Sequence, residues 1–348
     1  MGITATSTKA EQARGDLEGA RRGDAVAFER LVGPHRGELI AHCYRMLGSL
    51  EDAEDAVQDT LVRAWRGLRG FEGRSSLRSW LYRIATNVCL NAIERRPRLA
   101  LPVERAAAGD PREAPEPPLA ERAWIEPLPD DIAASLDAGP SPEARYEQRE
   151  AVELAFIASL QHLPARQRAV LLLRDVLGFS PAEIAKTLEA SPAAVYSALQ
   201  RARTAVNDGM PEQSQQRTLR SLGDRAVREL VDRYVLAWER ADVDALVSML
   251  AEEVTLAMPP SPSWFSGRED VGAFLARYPL SHPERWRVIP IRANAQLGFA
   301  FYRLVQGAWL PYAISVSSVG DGGRLTSLVS FHSPEWFPRF GLPGQLDS

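Results

Sequence analysis

The sequence predicts a multi-domain fold: two all-α domains, a helical bundle and a helix-turn-helix, followed by an α+β cone. Three observations predict it. The 348 residues exceed one ordinary domain. Apolar positions recur at helical spacing from Ala25 to Arg96 and again from about Glu143, with an acidic, proline-rich stretch between them. From about Leu219 two helical stretches give way to runs of strand character. The expected divisions are a flexible tail over 1–24, a bundle over 25–96, a linker over 97–144, a helix-turn-helix domain over 145–210 and a C-terminal domain over 219–348.

The bundle comes first. Phe28, Leu31 and Val32, then Leu39, Ile40, Cys43, Tyr44 and Leu47, keep one apolar stripe that Gly33-Pro34 interrupts. A second helix follows Ser49 as cap, with acids in its first turn and a stripe of Ala53, Ala56, Val57, Thr60, Leu61, Ala64, Trp65 and Leu68. "GFEGRSS" breaks the pattern. A third helix from about Ser76 buries Leu77, Trp80, Leu81, Ile84, Ala85, Val88 and Ala92. Residues 97–144 show no sustained period and read as a linker or disordered segment.

One helix is expected over "ARYEQREAVELAFIASLQHLP" and another over "ARQRAVLLLRDVLG", stopped by Gly178. "SPAEIAKTLEA" and "SPAAVYSALQRARTAVN" then each open on a serine cap followed by proline at the first helical position. Two such short helices form a helix-turn-helix. In the second, Val195, Leu199 and Ala202 are expected inward. The last third reads as two helices, a strand, a helix over "GREDVGAFLARY" and four more strands, giving a curved antiparallel sheet lined by helices. Asp321-Gly322-Gly323 is expected as a hairpin turn.

Composition excludes several classes. No run of about 18 apolar residues exists, and the N-terminus lacks a secretory h-region, so no membrane partner is expected and the cytoplasm is the expected location. Cys43 and Cys89 lie in apolar helical contexts, as buried thiols do, and five scattered histidines give no zinc spacing. Neither a metal nor a cofactor is therefore expected. The net charge of −4 conceals strong local asymmetry: residues 51–59 hold five acids, 63–96 hold eight arginines against two acids, and 97–144 hold ten acids against four arginines. A polyelectrolyte would use the middle segment.

That segment carries suitable chemistry. The helix from Ser76 puts Arg83, Asn87, Asn91 and Glu94 opposite its core stripe. Arginine and asparagine make bidentate contacts to base edges, and the neighbouring Trp65, Phe71, Trp80 and Tyr82 suit unstacked bases. A solvated polar face is the plain alternative.

"FERLVGPHRGELIAHCYRMLGSLEDAEDAVQDTLVRAWRGLRGFEGRSSLRSWLYRIATNVCLNAIERR" resembles region 2 of the extracytoplasmic-function sigma factors, RNA polymerase initiation subunits of the sigma-70 family. "LPARQRAVLLLRDVLGFSPAEIAKTLEASPAAVYSALQRAR" similarly resembles region 4. The resemblance implies two partners: core polymerase, through its β′ coiled coil and β flap, and promoter DNA. It puts Asp52, Asp55, Gln58, Asp59 and Arg63 on the core-docking face, where an acidic stripe suits a basic surface. It gives the −10 element to Glu72, Gly73, Arg74, Ser75, Ser76, Arg78, Arg83, Asn87 and Asn91, whose loop would pocket an unstacked base. The −35 element falls to Ser191, Ala193, Tyr196, Ser197, Gln200, Arg201 and Arg203. Many family members carry cations where Tyr196 and Ala198 stand, which implies weak −35 affinity by this helix alone.

The C-terminal third resembles the SnoaL-like, nuclear transport factor 2-like cone, on "MPPSPSWFSGREDVGAFL" and "FHSPEWFPRFGLP". Its candidate pocket residues are Trp264, Phe265, Tyr278, Tyr302, Trp309, His332 and Trp336. The fold serves cyclases, isomerases and inert modules alike. No Asp–His pair at a telling spacing marks a catalytic acid and base, so no catalytic residue is assigned and His332 reads as structural. The cone is then a control module for a small-molecule or protein regulator. The rival is a cyclase- or isomerase-type enzyme behind a DNA-binding leader.

Overall fold

The computed structural model describes residues 12, 14–73, 75–119, 123–134, 147–208, 210–211, 213–281 and 286–347. In chain order its helices are α1 (residues 14–21), α2 (Ala25–Val32), α3 (Arg36–Leu47), α4 (Leu50–Gly67), α5 (Leu77–Ile93), α6 (Asp130–Ala134) and α7 (Leu154–His162). There follow α8 (Ala165–Leu171), α9 (Pro181–Thr187), α10 (Pro192–Asn207), α11 (Gln215–Glu239), α12 (Val243–Ser248), α13 (Arg268–Arg277) and α14 (Trp336–Arg339). The strands are β1 (Leu250–Ala257), β2 (Trp264–Ser266), β3 (Trp286–Ala293), β4 (Gln296–Val305), β5 (Ala308–Val319) and β6 (Leu325–Phe331). They divide between two compact units, Met1–Arg96 with Leu163–Arg203, and Pro97–His162 with Thr204–Ser348.

In the first unit local signals set the helix ends. Asp24 accepts from Val26 N and Ala27 N at 2.9 and 3.1 Å, and Ser49 from Asp52 N at 3.1 Å. Gly48, at φ 76°, closes α3 in the left-handed region. Most of the expected stripe positions are buried, but Leu31, Ile40, Leu61, Leu77, Ile84 and Ala92 are only half-buried and Trp65 is exposed, its ring edge-on to Phe28 at 5.0 Å. Cys43 and Cys89 are buried free thiols. One face was not foreseen: α3 is buried all round from Ala41 to Leu47, because α8 packs on its second side. Arg168 of α8 is itself buried and donates to the carbonyls of Met46 and, at 3.3 Å, Leu163.

The second unit is a cone whose six strands run β2-β1-β6-β5-β4-β3. The sheet is mixed rather than antiparallel as expected, since β1 pairs with β6 in parallel, Thr255 opposite Ser327. The three-residue β2 was missed because it is too short to show a period. Gly223, at φ 79°, kinks α11, whose Leu230, Tyr234 and Trp238 enter the concave core. The opposite face buries Ala300, Tyr302, Ile314 and Phe337 under α14.

The proline-rich segment departs most from expectation. Leu99, Leu101, Trp124, Ile125 and Leu128 are buried, and bridges join Ala100 to Trp124 and Pro129 to Ala293. Asn294 fixes it: Leu128 N donates to Asn294 Oδ1 at 2.9 Å and Asn294 Nδ2 to Val152 O at 2.9 Å. The single helix expected over 144–164 is interrupted at 151–153, where Glu153 turns inward. Its carboxylate accepts from Gln215 N and Gln216 N, each at 2.9 Å, at the start of α11.

Candidate functional site

The first candidate surface is the polar side of α4 and α5. Asp55, Gln58, Asp59 and Arg63 are exposed along α4, on the side away from Ala53, Ala56 and Val57. Asp52, expected on the same face, is mostly covered and ion-paired with Arg96. On α5, Asn87 and Asn91 are exposed and Arg83 half-buried, one above another at four-residue spacing. Beneath them Trp80 and Val88 are buried, and the Trp80 ring packs on Phe71 at 5.0 Å. This packing fixes the angle at which the polar face is presented. A groove of about 320 Å³ joins Asp52, Asp55, Gln58, Asp59 and Arg63 to Asn91.

The loop before α5 is partly committed to the helix itself. Glu72, Ser75 and Ser76 are exposed, Gly73 takes φ 72°, and Ser76 caps α5 by accepting from Ser79 N at 3.0 Å. Arg74 lies outside the described residues. Arg78, expected as a DNA contact, is half-buried and has internal partners: its Nε donates to Glu38 at 2.8 Å, and its guanidinium lies 4.8 Å from the Tyr82 ring centre. Against the desolvation that would raise it, hydrogen bonds from His35 and Arg78 hold the Glu38 carboxyl down to about 2. Buried His42 pairs with Thr86 at 3.0 Å, and burial pushes its pKa down to about 3.

The helix-turn-helix has the expected faces. Ser180 and Glu183 cap α9 reciprocally, and Ser191 Oγ accepts from Ala194 N at 3.2 Å. Val195, Leu199 and Ala202 are buried; Ser191, Ala193, Tyr196, Ser197, Gln200, Arg201 and Arg203 are exposed. Both arginines have internal partners. Arg201 donates to Ser197 at 2.5 Å, and Arg203 forms a forked pair with Asp175 at 2.8 and 2.6 Å. A second groove, about 570 Å³, sets Arg83 and Asn87 of α5 against Lys186, Thr187 and Glu189 at the end of α9. Phe179, just before α9, meets Tyr82 edge-on at 5.8 Å. Sequence reasoning missed Arg168 and Phe179, which join the two helical parts.

The cone encloses a cavity of about 360 Å³. Tyr278 and His332 line it as expected, with Trp238, Phe274, Trp286, Phe301 and Tyr312 supplying most of its wall. Tyr302 does not: it follows Phe301 on β4, so the alternation of a strand turns it to the other face, against Phe337 at 4.9 Å. Trp309 and Trp336 pack on that face too. Trp264 points its indole N–H to Ala106 O at 2.8 Å and is not in the wall, while Phe265 is core. The His332 ring lies 4.9 Å from that of Tyr312, and desolvation holds its pKa down to about 4, so it is neutral at neutral pH. Among the described lining residues the carboxylate is Glu116, from the proline-rich segment. No cluster of three metal-binding side chains occurs among the described residues, and no described helix is long and apolar enough to cross a membrane.

Comparison with known proteins assigns families to these parts. Three family models match: Sigma-70 region 2 over residues 31–99, Sigma-70, region 4 over 153–206, and the SnoaL-like domain over 231–329. The chain is 41% identical over 344 residues to an ECF RNA polymerase sigma factor, SigG, of Mycobacterium tuberculosis, covering 98% of this chain and 90% of that one. It is 30% identical over 200 residues to the RNA polymerase sigma-H factor of Pseudomonas aeruginosa, covering 58% and 94%. The crystal structure of the Mycobacterium tuberculosis extracytoplasmic function sigma factor SigJ shares the fold, with a TM-score of 0.54 at 23% identity over 89% of this chain and 97% of that one.

Proposed function

The chain belongs to the extracytoplasmic-function sigma factors of the sigma-70 family, with a SnoaL-like domain at its C-terminal end, and on that premise we propose how its surfaces share the work of initiation. Such factors bring core RNA polymerase to promoter DNA. The exposed acids of α4, Asp55 and Asp59, with Gln58 and Arg63, dock on the β′ coiled coil; Asp52 orders the same helix through Arg96. The loop Glu72–Ser76 and the line of Arg83, Asn87 and Asn91 hold the −10 element, and α10 reads the −35 element while its domain meets the β flap. The work is done in the cytoplasm, where the polymerase is.

The observation that carries this reading is the line of Arg83, Asn87 and Asn91 over a buried aromatic floor. The groove between α5 and the end of α9 adds a state to it. With Lys186, Thr187 and Glu189 across from Arg83 and Asn87, a DNA strand lying along α5 would have to share this groove with the end of α9. The arrangement is a resting one, which core polymerase opens.

The cone acts as the control module through the proline-rich segment packed on it. An enzymatic reading is not favoured, because His332 faces Tyr312 and no carboxylate of the cone itself lines the cavity among the described residues. Run-off transcription with core polymerase tests the assignment. Asn87→Ala and Asn91→Ala should each lower promoter-specific output by about 1–3 kcal/mol of discrimination, with core binding unchanged by gel shift. Unaltered output from both variants would remove α5 from the −10 contact.

A further inference from the structure

The cavity of the cone is closed on one side by the linker, not by the cone. Pro115, Glu116 and Pro118 belong to its wall. This stretch lies across the lip formed by residues 258–266 and is tied to it by hydrogen bonds to the strap's backbone, from both backbone and side-chain groups of the cone. Gly109 N donates to Trp264 O at 2.8 Å, Glu116 N to Ser263 Oγ at 2.8 Å and Leu119 N to Pro260 O at 3.1 Å. In return Ser261 Oγ donates to Glu116 O at 2.8 Å and Trp264 Nε1 to Ala106 O at 2.8 Å, while Tyr278 OH donates to Arg112 O at 3.2 Å. Gly109 lets the strap lie close: a Cβ there would sit a tight 3.3 Å from the Phe265 ring and in ordinary contact, 3.5 Å, with Trp264 O.

The cavity wall states what fits. Its aromatic side comes from α11, α13 and the following Tyr278, β3, β4 and Tyr312 of β5. Its polar side is a short stripe on β5 and β6, where Ser315 and Ser330 face each other across the strand pair and His332 lies two residues further on the same side. The cone places no charged group deep in the described wall. Its cation, Arg303, is exposed and lies 5.0 Å from the Tyr312 ring centre, which puts it at the mouth. At about 360 Å³ the space is within the range of small-molecule sites and equals roughly a dozen waters. A buried charge would be uncompensated there, whereas flat apolar groups and hydrogen-bonding oxygens would not.

We propose that this cavity binds a flat, largely apolar aromatic molecule bearing hydrogen-bonding oxygens and an anionic group at the mouth, and that the bound molecule fastens the linker to the cone. The inference rests on the reading of the cone as a control module and names its ligand class and its mechanical output. Because Pro115 and Pro118 are part of the wall, a molecule in the cavity touches them only while the strap is docked. Binding and docking therefore strengthen one another by the same factor. A fastened linker restricts the helical parts that must spread over the promoter, so the ligand is a brake.

The test uses the full-length protein and 1-anilinonaphthalene-8-sulfonate, an aromatic anion of this shape, with fluorescence titration and amide hydrogen exchange. One saturable site is expected, with slower exchange at Gly109, Glu116 and Leu119 when it is filled. The double variant P115G/P118G, which leaves the cone's own sequence untouched, should weaken the probe on the order of 5–10-fold through loss of apolar wall; undiminished binding by this variant would also overturn the proposal. Ser330→Trp, which fills the cavity, should abolish binding. Absence of saturable binding, binding that Ser330→Trp leaves intact, or binding that leaves strap exchange unchanged would overturn the proposal. If Ser330→Trp does not fold, the strap variant and the exchange data decide. The control reading fails separately: a probe that fastens the strap, beside a deletion of residues 213–348 that leaves transcription unchanged, keeps the site and removes its role.

Discussion

At the scale of the residue, two buried groups hold this protein together by means that composition does not announce. Glu153 is a carboxylate with 2% exposure, and burial pushes its pKa up to about 7 despite two backbone N–H donors. An acid whose folded pKa is raised contributes most below its unfolded value of about 4.5. Stability should fall as pH rises from there through about 7, by on the order of 3 kcal/mol, and level off above. Glu153→Gln should flatten that slope in thermal melts across this window; an unchanged slope would clear Glu153 of the effect. Arg168 holds the carbonyl of Met46 near the end of α3 from 122 positions along the chain. Arg168→Met should cost about 1–3 kcal/mol in urea unfolding, because it strands a buried acceptor.

At the scale of the element, the same helix can look like a reader in sequence and be restrained in structure. α10 exposes Tyr196, Gln200, Arg201 and Arg203, but Arg203 is forked to Asp175. Asp175→Ala should release it for phosphate and steepen the salt dependence of −35 duplex binding by roughly one unit. The pair is largely exposed, so stability should change by no more than about 1 kcal/mol. Anisotropy titrations at several salt concentrations measure both the slope and its change. The α5 face is different: its floor of Trp80 and Val88 is buried, and Lys186, Thr187 and Glu189 line the groove beside its upper side.

At the scale of the whole molecule, the segment between the two helical parts of the sequence packs on the cone rather than running free. Its prolines and acids suggested a free linker, yet Trp124, Ile125 and Leu128 are buried in the cone unit. Deleting residues 213–348 removes the surface that holds this segment. Promoter output in run-off transcription should then change several-fold while core binding persists; equal output with and without the cone would remove its regulatory role. Within the stretch 1–24, expected as a flexible tail, residues 14–21 are helical and Arg30 pairs with Asp16 at 2.7 Å, while residues 1–11 and 13 lie outside the described residues.

The sequence by itself determined what is decided within a few residues. Helical period, serine and aspartate caps, the Ser-Pro starts of α9 and α10 and the polar lines on α4, α5 and α10 all depend on neighbours one turn away. The family resemblance rests on the same short stretches. Tertiary structure alone decided which second faces are covered: α3 by α8, the cavity mouth by Pro115 and Pro118, and the place of Tyr302 by its register beside Phe301. Those contacts join residues far apart in the chain, 122 positions in the case of Met46 and Arg168. A proline-rich stretch with no period of its own can still pack when another domain supplies the partners for its backbone, and local pattern carries no trace of that supply.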